Sequence, residues 1–218
     1  MQSSDVPMPI NVYGLDSIST FGVRQLLTHI LDEIFWKYPG HKPVVSDVWV
    51  LTNGDLTRLI SLEYQITARR PCIVIGDKRY KQLLTNVPGF NMLKFISIKL
   101  PIPALRAQLA QVLSSSQTVN INTTCLSLNS TQLSIFKKLL SGVTPINIAS
   151  RTGLSVKTIS YLKRDFMRRA DIRTSQEFFI KIYLTLVGIY TAGSGYNLEP
   201  NANPMVTLGK MNQLAITH

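Results

Sequence analysis

Polar and cationic side chains share one face of a helix that the sequence predicts after Ser155. On its other face, apolar residues recur as Ile159, Leu162, Phe166 and Ala170, the spacing of a stripe that packs on a core. The polar face carries donors suited to phosphates and purine edges, with two flanking cations: Lys157, Thr158, Ser160, Tyr161, Arg164 and Arg168, then Lys163 and Arg169. Because base edges are read from a helix in the major groove, the pattern predicts DNA contact. Lys163, Arg168 and Arg169 are expected chiefly to hold phosphates.

Two shorter helices are predicted ahead of this one. The first opens near Asn129 to Thr131 and closes at Gly142, and the second begins at the Thr144 cap with Pro145 in its first position. Gly153 ends the second helix and makes the turn. A three-helix bundle with a solvated basic face is the alternative. The order of helix, turn, glycine, cap and cationic face favours a helix-turn-helix.

The same segment resembles a known family. Residues at its motif positions are Leu128, Gly142, Ile148, Ala149, Leu154, Ser155, Lys157, Thr158 and Ile159, which resemble the LuxR/FixJ type of bacterial DNA-binding domain. The string KTISYLKRDFMRR is most similar to the branch that contains the Rcs capsule-synthesis regulators and their auxiliary partners. Gln132 replaces the usual Glu, and Ala170-Asp171 replaces the usual Leu-Gly. The resemblance implies a transcriptional regulator.

A fourth helix is expected at the end of this domain. Thr174 and Glu177 have the spacing of a capping box, which predicts a helix from about Ser175 to Val187. In the LuxR/FixJ family this helix contributes to dimerisation. This last helix has more apolar residues than one side needs for packing within its own domain. A subunit contact is therefore expected from Phe178, Ile182 and Leu186. The predicted partners are double-stranded DNA and either a second copy or a related response regulator.

The positive charge of the chain is concentrated in this segment. Residues 126–187 hold ten Lys and Arg against three acidic residues, which is +7 of the total +11. A basic excess on a small domain is typical of phosphate binding, where release of counterions supplies much of the affinity. An anionic membrane surface would also attract it, but the pattern of the predicted recognition helix favours nucleic acid.

The first 113 residues alternate between strand and helix. Apolar runs predict four strands buried in a parallel sheet, near residues 10–15, 48–51, 72–75 and 95–98. Helices are expected between them at about 19–37, 56–67, 78–84 and 103–113, which indicates a doubly wound fold. The order resembles the receiver domain of response regulators. Tyr38 to Asp47 is too short for the usual second strand and helix, so four strands are expected, with KPVVS at most a poor edge.

The receiver resemblance does not extend to its chemistry. A receiver needs an acidic cluster at the strand ends to hold a divalent cation and accept phosphate, and here only Asp16 remains of the first acidic pair. The phosphoacceptor position falls on Thr52 or Asn53, and Lys99 matches the family lysine without an aspartyl phosphate to sense. Asp16 and Asp77 are read as caps of loops or helices. We therefore expect a pseudo-receiver that is not switched by phosphorylation.

Catalysis is not indicated. No G-x-G-x-x-G or Walker sequence is present, and His29, His41 and His218 are dispersed, so no enzyme activity, cofactor or metal is expected. Cys72 and Cys125 are isolated, as in a reducing compartment. No secretory signal is recognised, and the apolar stretch at 178–190 is too short to span a bilayer. A cytoplasmic, nucleoid-associated protein is expected.

These observations predict an α/β domain followed by an all-α domain. The expected parts are a truncated flavodoxin-like pseudo-receiver at 1–113, a polar linker at 114–125, a four-helix LuxR-type helix-turn-helix domain at 126–187 and a disordered tail at 188–218. The predicted function is sequence-specific DNA-binding transcriptional regulation without phosphorylation of the first domain, as a homo- or heterodimer. The alternative is an interaction module that modulates another regulator without reading DNA.

Overall fold

Four strands and seven helices make up the described part of the chain. The computed structural model describes residues 10–14, 16–40, 43, 45, 47–52, 56, 59, 71–88, 93–115 and 126–193, with backbone only from 189. The elements are β1 (Asn11–Gly14), α1 (Ser17–Lys37), β2 (Asp47–Leu51), β3 (Cys72–Gly76), α2 (Lys78–Leu84), β4 (Leu93–Ser97), α3 (Ile102–Ser114), α4 (Ser130–Leu140), α5 (Pro145–Thr152), α6 (Val156–Arg169) and α7 (Ser175–Gly193). Most of the expected helix at 56–67, most of the expected linker and the tail from 194 lie outside the described residues.

Residue contacts divide the chain into two units. The first comprises Met1–Asp55, Ala68–Lys81 and Asn91–Asn122, and the second comprises Leu56–Thr67, Gln82–Phe90 and Thr123–His218. The division differs from the expected domain limits, because residues 82–88 belong with the C-terminal helices. Each unit is described separately below.

The first unit contains a four-stranded parallel sheet in the order β1-β2-β3-β4. In its register, Val12 lies opposite Val48 and Val50 opposite Ile75. This order is what a flavodoxin-like sheet, 2-1-3-4-5, retains when its second strand is absent. The prediction of four parallel strands is therefore confirmed. The fourth strand begins two residues earlier than expected, because Lys94 interrupts the apolar run that marked it.

One core of this unit lies between the sheet and helices α1 and α3. Val48, Val50, Ile73 and Ile75 project from the central strands into this core. From α1 and α3 it receives a set of buried aliphatic residues: Val23, Leu27, Ile30, Leu31, Ile34, Leu105, Leu109, Val112 and Leu113. Alternate residues of a strand point to opposite faces, so Trp49 is buried on the other side of the sheet, where its ring stacks on Tyr13 at 4.4 Å.

The second unit is built around three phenylalanine rings. Phe136 of α4, Phe166 of α6 and Phe178 of α7 are fully buried. Their rings meet edge to face at centroid distances of 5.3 to 5.8 Å. Such pairs add about 0.5–1.5 kcal/mol each beyond the burial of their area. The cluster holds α4, α6 and α7 together and so fixes the side of α6 that faces the core.

Residues 177–188 of helix α7 are all buried or half-buried. Its Lys181 is completely buried, and the ammonium donates to the carbonyl oxygens of Gln82 at 3.0 Å, Leu83 at 2.9 Å and Thr85. At Gly188 an added Cβ would lie 2.0 Å from the carbonyl oxygen of Pro88. The segment 82–88 therefore covers one side of α7. Within the described residues, no helix is long and apolar enough to cross a membrane.

Candidate nucleic-acid interface

Local hydrogen bonds define the ends of the three helices that form the candidate interface. Asn129 and Gln132 form a reciprocal capping box at the start of α4, and the Thr144 hydroxyl accepts from the backbone N–H of Asn147 to cap α5. Helix α5 ends at Gly153, whose φ of 71° lies in the left-handed region that favours glycine. The Ser155 hydroxyl then accepts from the N–H of Thr158 at 3.0 Å and starts α6. The predicted caps Thr144 and Ser155 are confirmed, and the capping box at Asn129 adds a third.

The two faces of α6 differ as the sequence predicts. Ile159 and Phe166 are buried on the core side. On the opposite side lie the exposed residues Lys157, Thr158, Tyr161, Arg164 and Arg168. Ser160 is half-buried at the edge of this face. Tyr161 is 63% exposed although it is a large aromatic residue, so its ring and hydroxyl are both available to a partner.

Two arginines of α6 are paired within the helix. Asp165 accepts from Arg168 at 2.8 Å and from Arg169 at 3.0 Å. The hydrogen bond from Arg168 lowers the pKa of the Asp165 carboxyl below its ordinary value, and Arg169 adds to this effect. Arg169 also donates to the backbone carbonyl of Ser127 at 3.5 Å. These contacts hold both guanidinium groups in place and reduce the net charge at the C-terminal end of α6.

Lys157 and Arg164 carry the free charge of the interface. In the part of the chain that the structure describes, neither side chain forms an ion pair with a carboxylate. Arg164 donates through Nε to the carbonyl of Ser160 at 3.3 Å, which leaves its terminal nitrogens as donors. Both residues are exposed, so they can meet an anionic partner without first breaking a salt bridge.

The side chain of Lys163 points toward α7, whereas the sequence predicted it beside the exposed face of α6. It is half-buried, donates to the hydroxyl of Ser175 at 3.0 Å, and its ammonium lies 5.1 Å and 5.4 Å from the ring centres of Phe178 and Phe179. Burial lowers the pKa of the Lys163 ammonium below its ordinary value. Its expected role in holding a phosphate therefore needs correction, because the stem packs toward α7 instead of the exposed face of α6.

The three residues expected at a dimer contact are also placed differently. Phe178 and Ile182 are 0% exposed and Leu186 is 6% exposed within the single chain. The expectation of an exposed apolar stripe on α7 is thus wrong in this structure. Sequence reasoning assigned only one covering surface to α7, whereas the chain itself supplies a second through residues 82–88. The predicted capping box of Thr174 and Glu177 is present, and α7 extends past Val187.

Two aspartates that follow strands of the first unit are engaged in hydrogen bonds at helix starts. The carboxylate of Asp16 accepts from the backbone N–H of Ile18 and Ser19 at the start of α1, and hydrogen bonding from Ser19 lowers its pKa. Asp77 accepts from the N–H of Arg79 at 2.8 Å at the start of α2. Both aspartates act as helix caps, as predicted. Thr52 follows β2, whereas Asn53, the other expected phosphoacceptor position, and the nearby Asp55 lie outside the described residues. No cluster of three metal-ligating side chains occurs in the described ranges.

Comparisons with known proteins give weak matches. No family model matches the chain, and no curated protein matches it. Among solved structures, it is similar to the two-component response regulator RcsB in complex with DNA, with 16% identity and a TM-score of 0.45 over 80% of this chain and 98% of that one. It is also similar to the Salmonella typhimurium RcsB response regulator, with 16% identity and a TM-score of 0.27 over 85% of this chain and 100% of that one.

Proposed function

We propose that this chain is a sequence-specific DNA-binding transcriptional regulator that reads DNA through α6. The supporting observation is the exposed face of α6, which presents Lys157, Thr158, Tyr161 and Arg164 while the aromatic cluster fixes the opposite face. The short α5 and the Gly153 turn precede it, which supports a helix-turn-helix of the LuxR type. A helix of 14 residues is about 21 Å long and can lie in the major groove.

The residues of α6 divide into two kinds of contact. Lys157 and Arg164 are unpaired donors suited to guanine edges, and Tyr161 and Thr158 lie beside them. Arg168 and Arg169 are held by Asp165, so they suit phosphate contacts of fixed position. A base contact changes sequence preference, whereas a phosphate contact weakens binding to all sequences alike. Lys163 is not assigned to either kind.

Regulation by phosphorylation of the first unit is not part of the proposal. Asp16 and Asp77 are engaged as helix caps, and Thr52 follows β2 where a receiver has its phosphoacceptor. We propose instead that the unit acts as a pseudo-receiver and that DNA binding occurs as a homo- or heterodimer. One recognition helix covers too few base pairs for a regulatory site, and two-fold assemblies read paired half-sites.

The test is the removal of the two unpaired cations. A preferred DNA sequence is first selected from a random library with the full chain, and its affinity is measured by fluorescence anisotropy at fixed salt. Lys157→Ala combined with Arg164→Ala should weaken binding at least tenfold, because each direct base contact contributes about 1–3 kcal/mol. The selected sequence should also be less preferred over a scrambled one.

The matched control removes the same charge elsewhere. Lys37→Ala combined with Lys99→Ala lowers the net charge by the same amount at exposed positions of the first unit. This variant should bind the selected DNA nearly as well as the unaltered chain. Equal affinities of both double variants would refute the assignment of α6 and favour the interaction-module alternative, in which α6 contacts another regulator.

A further inference from the structure

A groove in the second unit has no role in the proposed reading of DNA. It lies where the end of α4 and the starts of α5 and α7 meet the first half of α6. Its volume is about 520 Å³, which falls in the range of small-molecule sites. Its lining includes Ile146, Val156, Ile159, Lys163, Ser175 and Phe179.

The rim of the groove exposes apolar side chains. Ile146 is 70% exposed and Val156 is 40% exposed, although both are aliphatic. Ile159 at the floor is buried. Covering exposed aliphatic carbon is favourable in proportion to the area removed from water. The groove therefore suits a partner with an apolar body.

One end of the groove is cationic. Among the described residues that line it, Lys163 is the only ionisable one. Its ammonium is half-buried, donates to Ser175 and lies over the rings of Phe178 and Phe179. No carboxylate among the described residues lies within ion-pair distance of it. A partly desolvated ammonium that lacks a counter-ion is best satisfied by an anion with good hydrogen-bond geometry.

We propose that this groove binds an amphipathic carboxylate, a molecule with an acyl chain and one terminal acid group. The chain lies along Ile146, Val156 and Phe179, and the carboxylate accepts from the ammonium of Lys163 and the hydroxyl of Ser175. Charge complementarity at one end and an apolar body along the rest select this class over neutral alcohols and over amines. The site is contained within the second unit and needs no other subunit.

Occupation of the groove affects DNA binding, if α6 reads DNA as proposed. The bound carboxylate places a negative charge beside Lys163, adjacent in sequence to Arg164. Negative charge near a phosphate-binding face lowers affinity for DNA. Coupling between two sites is reciprocal, so saturating DNA weakens carboxylate binding by the same factor by which the carboxylate weakens DNA binding. A factor of about five or more is expected.

Binding is tested without DNA, by titrating the ¹⁵N-labelled full chain with octanoate below its micelle concentration and following amide shifts. Saturable shifts should concentrate at residues 142–146, 156–163 and 175–179. Octylammonium and octan-1-ol should bind at least tenfold more weakly. In the series hexanoate, octanoate, decanoate, affinity should rise about fourfold per added methylene, as expected for a buried alkyl chain. Absence of saturation, or equal binding of octylammonium, would overturn the proposal.

Matched variants test whether Lys163 binds the carboxylate group of octanoate. Lys163→Met removes the charge but keeps an apolar stem, and should weaken octanoate at least tenfold without weakening octan-1-ol. Arg173→Met, at an exposed position outside the groove, should leave octanoate binding unchanged. If Lys163→Met fails to fold, Ile146→Asp serves instead, because its exposed position tolerates a carboxylate that should repel the ligand. Unchanged octanoate binding in folded Lys163→Met would refute the assignment of Lys163, and unchanged binding in Ile146→Asp would refute the groove as the site.

Measuring DNA binding and octanoate binding on the same full chain separates the two proposals. If octanoate binds the groove but the chain binds no DNA, the site stands and the proposed function fails. If DNA binds at α6 and octanoate never saturates, the proposed function stands and the groove proposal fails.

Discussion

The buried Lys181 makes the stability of the protein depend on pH in a specific way. Burial lowers the pKa of its ammonium from 10.5 to about 7. Between these two values the unfolded chain keeps a proton that the folded chain has released. Since stability rises with pH wherever the unfolded state binds more protons, the free energy of unfolding should increase from pH 7 upward.

The size of the effect follows from the pKa difference. One pKa unit corresponds to about 1.4 kcal/mol, so the slope approaches about 1.4 kcal/mol per pH unit, and the full change is of the order of 5 kcal/mol. The carbonyl oxygens of Gln82, Leu83 and Thr85 favour the ammonium over the amine. The slope and the full change in unfolding free energy are therefore upper limits. Between pH 7.5 and 9.5 a change of about 2–3 kcal/mol is expected.

Urea unfolding of the full chain and of Lys181→Met, at several pH values, isolates this contribution. Helix content is followed by circular dichroism, because Trp36 and Trp49 both belong to the first unit and their fluorescence reports on that unit. Other groups titrate alike in both proteins, so the difference between the two unfolding free energies is the relevant quantity. The unfolding free energy of the unaltered chain minus that of Lys181→Met should increase as the pH rises. A difference that stays constant from pH 7.5 to 9.5 would refute the lowered pKa.

Further outcomes are expected at other positions. Phe166→Ala should lower the unfolding free energy by about 3–5 kcal/mol in urea titrations, because a fully buried ring leaves a cavity between two others. Gly153→Ala should destabilise the protein by about 1 kcal/mol owing to its positive φ, whereas Gly22→Ala, in open space on α1, should stabilise it by about 0.5–1 kcal/mol; equal thermal shifts would contradict this reasoning. Incubation with acetyl phosphate and Mg²⁺ should leave the mass unchanged, and a phosphoryl adduct on Asp16, Asp55 or Asp77 would contradict the prediction of a pseudo-receiver.

The elements of this protein could be predicted because their signals are local. Helices α4, α5 and α6 start at side chains that accept from backbone groups three residues away, as at Asn129, Thr144 and Ser155. Gly153 ends α5 by a property of its own backbone. Apolar runs likewise identify the strands, and the short interval between α1 and β2 implies a sheet without the usual second strand.

The tertiary structure decided how the surfaces of those elements are used. Lys181 meets carbonyls up to 99 residues away, and no local pattern announces such a partner. The same packing buries Phe178, Ile182 and Leu186, which as a sequence stripe suggested a subunit contact. Lys163 lies within α6, but its side chain lines the groove, because a long flexible stem takes the direction that its neighbours allow. Periodicity sets which residues share a helix face, whereas what covers that face depends on segments distant in the chain.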